Sequence, residues 1–163
     1  MVKITTDRFV LRELSEADAS DTYLSWFDDQ VTKQFIQYSA QKHQDLKNYI
    51  AEKLAADDCL FLGIFTHEGD HIGNIKYEPI NLDAKSAMMG ILIGETAWRG
   101  KGVAKEVIGA SGKYLKQIKQ IRYIDLGVEL DNFPAIAAYE KLGFKKTHEA
   151  LAVNGMYMRW TMD

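Results

Sequence analysis

A single cysteine, Cys59, is the whole thiol complement, so neither an internal disulfide nor a thiolate zinc site can form. Prolines are almost as scarce, with Pro79 and Pro134 the two. No Gly-, Ser- or Pro-rich linker and no internal repeat divides the 163 residues, which predicts one domain over 1–163. Neither sign of charge dominates. Lys and Arg number 20 against 23 Asp and Glu, a net charge of −3, so the basic surplus of a nucleic-acid grip is missing. No apolar run approaches the ~20 residues of a membrane span. The opening Met1-Val2-Lys3-Ile4-Thr5-Thr6-Asp7-Arg8 lacks the apolar core of a signal peptide. A cytoplasmic setting, with no membrane and no nucleic-acid partner, is expected. The histidines 43, 67, 71 and 148 are scattered, and Gly69-Asp70 puts a turn between His67 and His71, so no metal site is expected. Apolar residues make up 47% and charged residues 26%, which excludes disorder. A chain of this length buries about 70% of its unfolded surface, so its core needs no staple.

Arg8 to Arg12 reads as a strand, and Ser15 with Asp18 as a capping box opening a helix that runs to about Phe27, with Ala19, Tyr23, Leu24 and Phe27 on one face. Leu46, Tyr49, Ile50, Lys53 and Leu54 predict a second helix. Leu60 to Phe65 and Ile72 to Tyr77 read as strands about a turn at Glu68-Gly69-Asp70, followed by a loop from Pro79 to Asp83. Met88 to Ile93 carries almost no polar residue and reads as a strand covered on both faces. Val103, Ala104, Val107, Ile108, Ser111, Leu115 and Ile118 form a helical stripe, and Ile124, Leu126, Val128 and Leu130 alternate as a strand. Asn132 is a strong N-cap, Pro134 suits a first turn, and Gly143 closes that helix. Phe144 to Leu151 and Met156 to Met162 form a hairpin about Asn154-Gly155. The order predicts an α/β (α+β) fold: a mixed, largely antiparallel sheet of about seven strands flanked by about four helices.

The segment Trp98-Arg99-Gly100-Lys101-Gly102-Val103-Ala104 joins the apolar strand to the strongest helix. Small residues there leave backbone N–H groups uncovered at a helix start, and Arg99 and Lys101 add charge, so the turn suits an anion. A Gly-rich turn beside a solvated basic pair is the other reading. Two nucleotide motifs fail at named residues. A Walker loop would need glycine one residue closer than Gly94 and Ser or Thr in place of Gly102; a Rossmann fingerprint would need glycine at Lys105.

Arg99-Gly100-Lys101-Gly102-Val103-Ala104 resembles the Q/R-x-x-G-x-G/A motif of the GNAT superfamily of acyl-CoA-dependent N-acetyltransferases. Asn132 through Tyr139 to Gly143-Phe144 resembles that family's second hallmark, and the element order fits along the whole chain. Leu11-Arg12-Glu13-Leu14 and Tyr23-Leu24-Ser25-Trp26 look most like the branch of ribosomal-protein alanine/serine and amino-sugar acetyltransferases. The resemblance implies acetyl-CoA as co-substrate, with backbone groups of Ile91, Leu92 and Ile93 along its pantetheine arm. It puts the pyrophosphate on Arg99, Gly100, Lys101, Gly102, Val103 and Ala104, gives Asn132 a further contact, and makes Tyr139 the general acid. Glu95 and Glu129 are candidate bases, Glu95 preferred, with His148 a weaker third. Tyr23, Trp26, Phe35 and Tyr157, with Phe27 and Tyr38, are candidate acceptor contacts. The implied function is acetyl transfer to a primary amine (an amino sugar, a protein N-terminus or a small amine) by a monomer or homodimer without a metal. A catalytically silent coenzyme A-binding module of the same fold is the alternative.

Overall fold

The computed structural model describes residues 1–29, 39–151 and 154–163, with 148–151 described by backbone alone. One sheet of eight strands runs in the order β1-β2-β3-β4-β5-β6-β8-β7. Its strands are β1 (Lys3–Thr5), β2 (Phe9–Glu13), β3 (Leu60–Thr66), β4 (His71–Asn81), β5 (Ser86–Ile93), β6 (Tyr123–Glu129), β7 (Lys145–Leu151) and β8 (Gly155–Thr161). Among the described residues the α-helices are α1 (Asp21–Ser25), α2 (His43–Ala55), α3 (Val103–Lys119) and α4 (Phe133–Leu142). Every described strand pair is antiparallel except β5–β6, which α3 connects as a crossover. Among the described residues, no helix is long and apolar enough to cross a membrane.

The sheet buries both faces. Leu62, Ile64, Ile75, Met89, Ile124, Leu126 and Met158 share one core with Val107, Ile108 and Leu115 of α3. Leu14, Tyr23, Trp26, Leu46, Ile50, Phe61 and Phe65 form a second core beneath α1 and α2. Alternation along each strand therefore sorts residues between a face toward α3 and α4 and a face toward α1 and α2.

Several sequence expectations change in detail. β1 is an eighth strand, whose three residues are too few to show a period. The helix expected from Ser15 to Phe27 breaks at Ser20, whose hydroxyl accepts from Tyr23 N (3.1 Å) and starts α1 afresh. The capping box before it does form, with Ser15 N donating to Asp18 Oδ2 at 2.7 Å. β4 continues through Pro79, expected in a loop, because the β4–β5 register shifts between Tyr77 and Ile80 and spares the ladder a missing donor. Only one face of β5 is fully buried, through Ala87 and Met89, while Gly90 is exposed. In α3 the stripe ends early: Ile118 is 61% exposed, and Ile121, just past the helix, takes the buried place. Leu130 likewise ends up 47% exposed, one residue beyond β6.

Candidate active site

β5 and β6 part company after three residue pairs, the last being Met88 with Asp125. Beyond that point no strand among the described residues lies beside the inner edge of β5. Gly94 N donates to Ile72 O (2.9 Å), which fixes the phase of the β4–β5 ladder. In an antiparallel pair, bonded and non-bonded positions alternate, so Leu92 and Gly90 bond to β4 while Ile91 and Ile93 turn their backbone groups to the open edge. Ile93 O is held there by Arg99 Nε at 2.9 Å. Leu92 differs from its two neighbours. Its backbone faces β4, and its side chain packs toward the α1–α2 core.

At the mouth of this opening stands the Arg99–Ala104 turn. Gly100 (φ 72°) and Gly102 (φ 76°) occupy the left-handed region, where a side chain would be strained. Gly102 caps α3 without a side chain to satisfy the first-turn N–H groups, so those of Val103 and Ala104 and the positive end of a 17-residue helix face outward. An uncapped glycine turn of this kind fits a pyrophosphate. Arg99 is anchored: besides Ile93, its Nη1 reaches Asp29 Oδ2 at 2.9 Å. Lys101 is exposed.

A second arginine escaped the sequence reading. Arg8 Nη1 donates to Lys101 O (3.0 Å), and Arg8 Nε is 2.7 Å from Glu106 Oε1. Glu106 also accepts from Thr6 Oγ1 (2.6 Å) and from Arg8 N (2.8 Å). Burial alone would raise the Glu106 pKa, but the Thr6 and Arg8 donors outweigh it and hold the carboxyl below its ordinary range. The loop is thus tied to the β1–β2 turn through an ion pair whose partners lie 98 residues apart, with no local pattern to reveal it.

Asn132 and Tyr139 approach from the α3–α4 face. Asn132 stands at the N-cap of α4, yet its side chain makes no capping bond; only its carbonyl accepts, from Ile136 N at 3.1 Å. The expected cap is therefore a backbone one, and the amide is left for other work. Tyr139 packs against Phe144, with ring centroids 5.7 Å apart. Burial pushes its phenol up to about 12, so it stays a proton donor at any physiological pH.

Across the sheet, α1 and α2 enclose a pocket over β4 and β5. Tyr23, Phe27, Tyr49 and Phe61 wall it, and Asn74, Lys76, Gly90, Ile91 and Leu92 form its floor. Tyr23 and Phe27 were expected near an acceptor; Tyr49, Phe61, Asn74 and Lys76 were not. Trp26 is 2% exposed and lies flat on Gly94, and its buried Nε1 has no acceptor among the described residues. Tyr157 is paired with Gly127 and alternates with the buried Met156 and Met158, so it stands on this same sheet face. Phe35 and Tyr38 lie outside the described residues, as does the side chain of His148.

The two candidate carboxylates separate. Glu129 ends β6 on the face of Gly127 and Tyr157, beside the opening. Glu95 instead lines a neighbouring cleft with Arg12, Asp18, His71 and Trp98. There burial tends to raise the Asp18 pKa, and the hydrogen bonds that Asp18 accepts from the Arg12 guanidinium and from Ser15 N outweigh it and lower the value. No group of three His, Cys, Asp or Glu among the described residues could hold a metal ion.

A family model described as an acetyltransferase (GNAT) domain matches residues 8–145. An N-alpha-acetyltransferase of Saccharolobus solfataricus is 42% identical over 73 residues, 45% of this chain and 42% of that one. An N-acetyltransferase 9-like protein of Nematostella vectensis is 28% identical over 131 residues, 80% of this chain and 58% of that one. The chain thus spans about half the length of these relatives. Among solved structures, a Vibrio cholerae spermidine N-acetyltransferase in complex with CoA and spermine superimposes with a TM-score of 0.83 at 18% identity, covering 94% of this chain and 95% of that one. A GNAT-family acetyltransferase from Bacillus anthracis gives 0.81 at 16% identity, covering 98% of each. At such identities the likeness is one of fold.

Proposed function

Because the chain belongs to the acetyltransferase (GNAT) domain family, we propose that it transfers an acetyl group from acetyl-CoA to a primary amine by direct attack on the thioester. The observation that carries this reading is the parting of β5 and β6 beyond Met88 and Asp125. Where two strands diverge, the sheet ceases to be a wall. A thioester lying along β5 would meet the α3–α4 groups on one side and the pocket under α1 and α2 on the other.

In this reading the Ile91 and Ile93 backbone groups take the place of a missing strand and hold the pantetheine arm. One of their N–H groups also faces the acyl oxygen, where negative charge develops. The Gly100–Ala104 amides take the pyrophosphate, and Asn132 supplies a side-chain contact to the arm. The acceptor amine enters over Gly90 and attacks the acyl carbon. Its surplus proton leaves to a carboxylate or water as the carbon–sulfur bond breaks, and the departing sulfur takes a proton from Tyr139. A phenol at about 12 is a weaker acid than a thiol at ~8.5 in water. Transfer becomes matched because the burial that raises the phenol raises the nascent thiol as well. For the base we favour Glu129 over Glu95, since Glu129 shares the acceptor face and Glu95 lines a separate cleft.

The test is thiol release from acetyl-CoA across amino sugars, amino acids, N-terminal peptides and polyamines, with Tyr139→Phe beside the wild type. Tyr139→Phe should lower kcat by ~10²–10⁴ with little change in melting temperature. Glu129→Gln should flatten the acidic limb of the pH–rate profile, and Glu95→Gln should leave it. Wild-type kcat in Tyr139→Phe, with chemistry rate-limiting, refutes the acid role. Absence of turnover on every acceptor, with acetyl-CoA still bound, favours the silent module.

A further inference from the structure

The pocket under α1 and α2 carries a positive charge on its floor and, among the described residues that line it, no carboxylate. Lys76 stands on β4 with its side chain 30% exposed. Its Nζ donates to Tyr49 Oη at 3.0 Å. The nearest anion, Glu78, lies 3.8 Å away and is gripped at 2.6 Å by Lys53 instead. Glu78 is thus taken up at short range by Lys53, and Lys76 is the cation that lines the pocket.

Two neighbours extend this site. Asn74 lies two residues earlier on the same face of β4 and is 5% exposed. With its proton on Nε2, His71 donates to Asn74 Oδ1 (2.7 Å), which leaves the Asn74 amide NH₂ for the pocket. Gly90 is the register partner of Lys76, and a Cβ built there would meet nothing within 4 Å. The floor between Lys76 and the open edge of β5 is therefore clear. Adjacent strands lie ~4.8 Å apart, so Lys76 on β4 stands about one strand spacing from β5.

Resting on the acetyltransferase reading, we propose that this pocket selects a primary amine bearing a carboxylate close by, with Lys76 and Asn74 holding the carboxylate while the amine reaches the edge of β5. An acidic side chain at the second position of a peptide N-terminus, or the main-chain carboxylate of a free amino acid, supplies this chemistry. A polyamine would bring a second ammonium against Lys76, where like charges repel in a half-buried pocket.

Initial rates with acetyl-CoA decide it, using four acceptors: a C-terminally amidated Ala-Asp-Ala-Ala peptide, its Ala-Lys-Ala-Ala counterpart, free alanine, and spermidine. The Asp peptide or alanine should exceed the Lys peptide and spermidine in kcat/KM by on the order of 10–100-fold. Which of the two leads identifies the source of the carboxylate. Lys76→Met should abolish the preference chiefly through KM, and Lys76→Arg should keep most of it, which separates recognition from a folding defect. A wild-type preference for spermidine or the Lys peptide, or an acid preference that survives Lys76→Met, overturns the assignment. No turnover on any acceptor, with acetyl-CoA binding intact by calorimetry, overturns the acetyltransferase reading beneath it.

Discussion

Replacing Gly94 by alanine adds one methyl group at the point where the acceptor side of the sheet meets the end of β5. A Cβ built on Gly94 falls inside the contact shell of three indole atoms of Trp26, namely Cγ, Cδ2 and Cε2. Carbon atoms pack at ~3.5–4.0 Å, so the ring must retreat by about an ångström or more. It has little room, because Trp26 is 2% exposed and its ring lies 5.1 Å from Tyr23 and 4.8 Å from His71. Gly94 does not occupy the left-handed region, so the penalty is steric rather than backbone strain. Overpacking of a close-packed core costs about 1–3 kcal/mol. For a chain of this size that lowers Tm by about 3–10 °C. Calorimetric and urea unfolding of Gly94→Ala measure the loss, and a double-mutant cycle assigns its cause. In a Trp26→Leu background the same substitution should cost less than about 0.5 kcal/mol, because the colliding ring is gone. Wild-type stability in Gly94→Ala, or an undiminished cost beside Leu at position 26, refutes the packing argument.

Arg8→Gln removes the guanidinium that fixes the Lys101 carbonyl and should weaken acetyl-CoA binding about tenfold by calorimetry while kcat at saturation holds; unchanged affinity would detach Arg8 from the loop. His71 supplies a pH dependence of stability. Burial, the largest influence, lowers its pKa below the ordinary 6.5, and the Asn74 bond only partly opposes this. The unfolded chain then binds the proton more readily than the folded one, so stability is full above that value and falls as pH drops below it. The slope is at most about 1.4 kcal/mol per pH unit. Urea unfolding at pH 7.5 and 5.5 should show this loss in the wild type and a smaller one in His71→Gln; equal losses would assign it to other groups.

The chain reveals its elements where one face is buried over several turns or residues. The α3 stripe from Val103 to Leu115 and the alternation of Ile124, Leu126 and Val128 are of that kind, and both stand where periodicity places them. Elements set by a single local bond are hidden. One hydroxyl at Ser20 divides a helix that the apolar spacing alone would make continuous. The turn around Gly100 and Gly102 is legible because its backbone angles demand glycine. Arg8 and Lys76 are not legible, since each acquires its place from partners distant in the chain: Lys101 lies 93 residues from Arg8, and Tyr49 lies 27 residues from Lys76. Glu95 and Glu129 are both strand-end carboxylates, and the sequence favours Glu95 because it follows β5; the sheet register and the cleft around Glu95 favour Glu129 instead.

The central claim is that the open edge of β5 is where acetyl-CoA lies. Amide-resolved hydrogen exchange, with and without saturating acetyl-CoA, tests it most directly. Gly90 and Leu92 donate to β4 and should be protected in both states. Ile91 and Ile93, whose N–H groups face the gap beside β6, should exchange quickly in the free protein and become protected on binding, together with Val103 and Ala104 at the start of α3. If acetyl-CoA binds yet leaves Ile91 and Ile93 exchanging as in the free protein, the arm does not complete this strand and the account is wrong.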